Sequence, residues 1–159
     1  MNANVISAVR LCLVLLGAGA AFGQVVYAPV AASQSAQMYP ELAHLAVPYT
    51  IAVIVVLACV QAALVAVWKL LAMVDQGWIF DPAALRWVDV IVAAAAVGTV
   101  VTVGTVTHLV SWVGVGGPFA LVVQAASLVG GACFVLLMLV MRGLLVSATV
   151  LQREMAEVV

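Results

Sequence analysis

Charge is scarce in this chain. Five Lys or Arg and six Asp or Glu are all that 159 residues carry, 7% of the total, where a soluble domain has about a quarter. Residues 11–40, 42–68 and 90–141 contain no Asp, Glu, Lys or Arg at all. This scarcity excludes several classes. There is no basic stripe or polybasic run, and the net charge is −1, so nothing offers a footprint for direct nucleic-acid binding. There is no Ser/His/Asp set, phosphate loop or paired carboxylate of a kind that could work in a cavity. The expectation is therefore a non-enzymatic protein with no cofactor. No acid or base lies mid-span, so a proton-coupled small multidrug transporter would lack its essential carboxylate. Cysteine is also thin. Cys12, Cys59 and Cys133 are odd in number, share no CxxC spacing and all sit in apolar runs. They read as small hydrophobes rather than as disulfide or redox groups.

What is present is apolar. Hydrophobic residues make up 68% of the chain and mean hydropathy is +1.34. A helix of about 20 apolar residues crosses the roughly 30 Å hydrocarbon core of a bilayer. The uncharged runs therefore read as membrane spans over about residues 9–30, 47–71, 84–112 and 119–142, followed by a cytoplasmic C-terminal helix over 143–159. The fold class expected is all-α, an integral membrane four-helix bundle forming a single domain. Ala and Val dominate, which fits a GC-rich bacterial genome.

Orientation follows from Lys and Arg. Arg10 precedes the first span, Lys69 and Arg86 bracket the second connection, and Arg142 and Arg153 follow the fourth span. The other two connections have no Lys or Arg. The positive-inside rule then puts both termini in the cytoplasm, in a multi-pass protein of the bacterial inner membrane. Trp68, Trp78, Trp87 and Trp112 sit at or just beyond span ends, and Tyr27, Tyr39 and Tyr49 near the outer ends, where aromatic rings prefer the interface. A competing reading takes Arg10, the apolar stretch 11–22 and Ala21-Phe22-Gly23 as a cleavable signal peptide. Apolar character continues through Val30, which favours a retained span.

The connection over 75–86 carries the densest local signals. Asp81 before Pro82 reads as an N-cap with a first-turn proline, starting the third helix. Gly77 reads as the end of the preceding helix or as its turn. Trp78, Ile79 and Phe80 are too apolar for an exposed loop. In the tail, Leu144, Ala148, Leu151, Met155 and Val158 recur at helical spacing, with Arg153, Glu154 and Glu157 mainly off that stripe. Gly114, Gly116, Gly117 and Pro118 mark a turn. Residues 31–48, with Gln34, Gln37, Tyr39, Glu41 and His44, read as the first outer loop. Glu41 and His44 are three apart, yet two ligands do not make a protein metal site, and no metal is expected.

Inside the spans the polar candidates are few. Gln61 lies midway through the second span, and a buried amide in lipid needs another helix as partner. His108 lies near the outer end of the third, with Thr102, Thr105 and Thr107 close by in sequence. Gln24 and Gln124, with Thr99 and Ser127, extend a candidate polar seam. Such a seam serves either interhelical hydrogen bonding or a small-solute path through Gln61, His108 and Gln124. Small residues mark close helix approach: Gly19 and Gly23 in the first span, Ser127 and Gly131 or Ala126 and Gly130 in the fourth, within one chain or between copies of a homo-oligomer.

Gly77-x-Ile79-Phe80 with a helix start and Arg86, together with Leu151-Gln152-Arg153-Glu154 and Glu157-Val158-Val159 at the end, resembles a family of uncharacterised four-helix bacterial membrane proteins. It is a domain of unknown function often encoded beside a small helix-turn-helix regulator. This chain departs from the family pattern at Asp81-Pro82-Ala83-Ala84, where a Ser and an acidic or Asn pair are usual. The resemblance carries no catalytic residues and implies a link to a cytoplasmic regulator. Trp78, Phe80, Asp81, Arg86, Leu151, Arg153 and Glu154 are then the candidate partner-binding residues, with the lipid bilayer as the other partner.

Overall fold

The computed structural model describes residues 3–75, 82–114 and 117–157, with side chains described over 6–75, 83–114 and 117–150. Four helical stretches are long and apolar enough to cross a membrane: Ile6–Met38, Pro40–Asp75, Ala83–Val113 and Gly117–Val150. They are called spans one to four below. Almost none of their surface is buried within the chain, and the side chains left outside are Val, Leu, Ile and Phe. Helices apolar all round are stable only in lipid or a large core, so the chain is a multi-pass membrane protein.

Each break has a local cause. Span one runs as α1 (Ala3–Phe22), a five-residue π segment (Gly23–Tyr27) and α2 (Ala28–Met38). Pro29 follows directly. Lacking an N–H, it leaves the Val25 carbonyl without its helical donor. The chain responds with one wider turn, in which the Ala28 N–H bonds the Gly23 carbonyl. Pro40 ends α2 by forcing Tyr39 out of helical geometry, to φ −130° and ψ 76°. A single 3₁₀ turn (Pro40–Leu42) then leads into α3 (Ala43–Asp75). The 31–48 segment expected as an outer loop is thus mostly helix, because Ala and Gln, rather than the turn formers, dominate its first half. α4 (Pro82–His108) ends in a second π segment (Leu109–Val113), closed by Gly114 at φ +70°. Gly117, at φ +53°, opens α5 (Gly117–Glu157). Both glycines hold left-handed conformations that a β-carbon disfavours.

The helices pack in chain order. Span one lies on α3, α3 on α4, and α4 on α5, and among the described residues no backbone approach links span one to α4 or α5, or α3 to α5. The four-helix bundle is therefore open, a row rather than a closed square. Neighbours are antiparallel: Arg10 meets Asp75, Tyr49 meets His108 and Asp89 meets Arg142. The start of α1 and the end of α5 consequently lie at one end of the row, with both ion pairs. α4 is the best-covered helix, and Ala84, Val88 and Ile91 are buried on it. α5 turns a single face to α4, through Gln124, Ser127, Gly131, Val135, Met138 and Arg142, with most of its other side chains exposed.

Candidate functional site

Two ion pairs close the charged end. Arg10 Nη2 donates to Asp75 Oδ2 at 3.1 Å, joining span one to α3. The Arg10 guanidinium also lies 6.0 Å from the Trp68 ring centroid, within cation–π range. Arg142 bridges α5 to α4 with both nitrogens, Nε to Asp89 Oδ1 at 2.5 Å and Nη2 to Asp89 Oδ2 at 3.3 Å. Both pairs are about half exposed, as expected of charges at the headgroup level. Sequence reading used these arginines only for orientation. The missed signal was an acid of opposite sign at matching depth on the neighbouring span.

Of the residues expected to receive a partner, Trp78, Phe80 and Asp81 lie outside the described residues, and so does the N-cap role assigned to Asp81. The helix does begin at Pro82. Arg86 is exposed and, like Lys69, has no ion-pair partner among the described residues. Leu151, Arg153 and Glu154 fall on the last turns of α5, where only the backbone is described. The tail stripe differs from the periodicity at its start. Leu144 is 61% exposed, whereas Leu145, Val146 and Thr149 are half-buried. They continue the face that Arg142 holds against α4.

The candidate polar seam does not form one path. His108 Nδ1 pairs with the Tyr49 hydroxyl at 2.9 Å between α4 and α3, and the Trp112 ring stacks on the imidazole at 6.2 Å between centroids. Gln124 Nε2 donates to Thr107 Oγ1 at 2.6 Å between α5 and α4. Gln61 sits on the far side of α3, in a recess with Leu13, Val14, Gly17 and Trp68. Gln24 Nε2 donates to the Ile54 carbonyl at 3.1 Å. The amides and the imidazole thus fall on three different helix interfaces. The threonines are also turned inward on their own helix: Thr99, Thr102, Thr105 and Thr107 each donate to the carbonyl four residues earlier, at 2.7–2.8 Å. A recess of about 460 Å³ between α3, α4 and α5 is lined mainly by apolar groups such as Cys59, Ala63, Gly98 and Phe134. Glu41 and His44 are both exposed, and no group of three potential metal ligands occurs among the described residues.

The small-residue faces divide. A β-carbon on Gly131 would collide with the Thr99 side chain, and one on Gly23 would touch Leu57. Gly19 and Gly130 face open space.

The arrangement is that of a small multi-pass helical membrane protein with ion-paired helix ends and apolar outward-facing spans. The chain belongs to the family described as "Protein of unknown function (DUF2975)", whose model matches residues 30–159. No curated protein and no solved structure matches it.

Proposed function

We propose that this is a non-enzymatic protein of the bacterial cytoplasmic membrane that works by receiving a soluble cytoplasmic partner, such as a small transcription regulator, at its charged end. One observation carries the reading. Asp89 is level with Arg142, so the start of α4 at Pro82 is level with about residue 149, given the common helical rise. α5 nevertheless remains helical to Glu157, extending about 12 Å past the start of α4, its packed neighbour among the described residues. A helix carried beyond its packing partner, with Arg153 and Glu154 on it, is suited to helix-in-groove recognition. The resemblance to a family encoded beside regulators supports the same direction.

The test is cross-linking in membranes of the full chain, followed by identification of what is captured. Deleting residues 152–159, or substituting Phe80→Ala, is expected to remove a soluble partner while the protein stays inserted. An identical set of captured proteins from wild type and both variants would overturn the proposal.

A further inference from the structure

Among the residues whose side chains are described, Arg10, Lys69, Arg86 and Arg142 lie at the paired end with Asp75 and Asp89. Both of these acids are committed, one to Arg10 and the other to two nitrogens of Arg142. Asp89 lies one turn along α4 from Arg86, yet it is held by α5. Lys69 and Arg86 are left exposed with no partner among the described residues.

Their placement is shared. Tyr49 meets His108 and Cys59 lies against Gly98, a ten-residue step on each helix, so the register between α3 and α4 is constant. It sets Arg86 level with Leu71, within about 3 Å of the depth of Lys69. They also share a face of the row. Lys69 ends an exposed stripe on α3 through Ala58, Ala62 and Val65, and Arg86 ends one on α4 through Ala93, Val97 and Val100. On α4 this stripe points away from Ile91, Gly98 and Thr102, which line the recess on the other face. Each cation therefore sits at the interfacial end of a lipid-facing apolar track.

We propose that Lys69 and Arg86 together seat the phosphodiester headgroup of an anionic phospholipid, whose acyl chains lie along the α3 and α4 tracks above it. A free anion would use the charges but not the tracks. A neutral phospholipid would use the tracks but gain less from the charges. Each Lys or Arg near an anionic surface contributes roughly fivefold in binding, so two together give on the order of 25-fold.

The experiment is native mass spectrometry of the full chain in neutral detergent, titrated with phosphatidylglycerol and with phosphatidylcholine of the same acyl chains. Wild type is expected to prefer phosphatidylglycerol. Lys69→Gln and Arg86→Gln should each reduce that preference about fivefold, and the double variant should bring it near parity. Arg86→Lys should retain most of it. Helicity by circular dichroism should be unchanged throughout, and the single variants decide the matter should the double variant fail to fold. A double variant that keeps the preference overturns the proposal. So does inorganic phosphate that displaces the lipid at equal concentration, which would make the seat a free-anion site. Loss of a captured soluble protein with lipid preference intact would assign the two cations to a protein partner and overturn it as well.

Discussion

At Gly131 α5 packs tightly against α4, because its missing β-carbon is the space that Thr99 fills. Gly131→Ala is expected to destabilise the packed helices by about 1–3 kcal/mol through overpacking. Thr99→Ala in the same chain should recover part of the loss, since it removes the two atoms a new methyl would meet first. Reversible unfolding in mixed micelles, read as a double-mutant cycle, checks this, and strict additivity would contradict it. The Gln124 amide is a second such point. Gln124→Leu should cost about 0.6–1.7 kcal/mol, the measured range for hydrogen bonds between membrane helices. Adding Thr107→Val should cost little more, because the hydroxyl's interhelical partner is already gone. At this scale the sequence was half legible. Spacing picked out Ser127 with Gly131 and, one residue away, Ala126 with Gly130, but a one-residue step turns the helix by about 100°. Only packing selects the first pair for α4 and leaves Gly130 facing open space. Thr105 does line a recess with His108, and Thr102 lines another. That each of these hydroxyls would bond its own helix depends on a rotamer, which composition does not encode.

Helix ends were more readable than helix faces, since Pro and Gly act through the local chain. Pro82 starts α4 and Gly114 closes the third span, at or close to positions that the sequence marks; Pro40 stops α2 inside the stretch expected as a loop. The π segment before Pro29 was not foreseen. It answers a lost hydrogen bond, and a wider turn is one of several ways to answer it. The outer connection also proved shorter than its polar composition implied. Gln34 and Gln37 are polar without being helix breakers, so α2 runs on to Met38. Span one, at 33 residues, is about 50 Å long, and α5, at 41 residues, about 60 Å. Both exceed the hydrocarbon core, so each tilts or stands clear of it. The ion pair of Arg142 with Asp89 fixes which part of α5 meets the headgroups, and the rest emerges on the charged side.

For the molecule as a whole, the antiparallel order puts the Tyr39 turn at one end and the ion pairs at the other. By the positive-inside rule the Lys and Arg distribution predicts that the paired end faces the cytoplasm. In a chain with the three native cysteines replaced by Ala, a Gln37→Cys thiol should react with a membrane-impermeant maleimide added to intact cells. A Ser147→Cys thiol should react only after the membrane is opened. Reversed labelling would invert the topology and remove the basis for a cytoplasmic partner. The number of spans could be read from the charge gaps alone, because insertion depends on summed hydropathy; their direction is what the labelling checks. Whether the four helices close into a square could not be read there, since that depends on which faces find each other, and these faces are nearly uniform in Val, Leu and Ala. The open row has a consequence for biogenesis. Among the described residues each span packs only on its neighbours in the chain, so each new helix can dock on the one made just before it. The protein can assemble one hairpin at a time, in the order in which the ribosome delivers it.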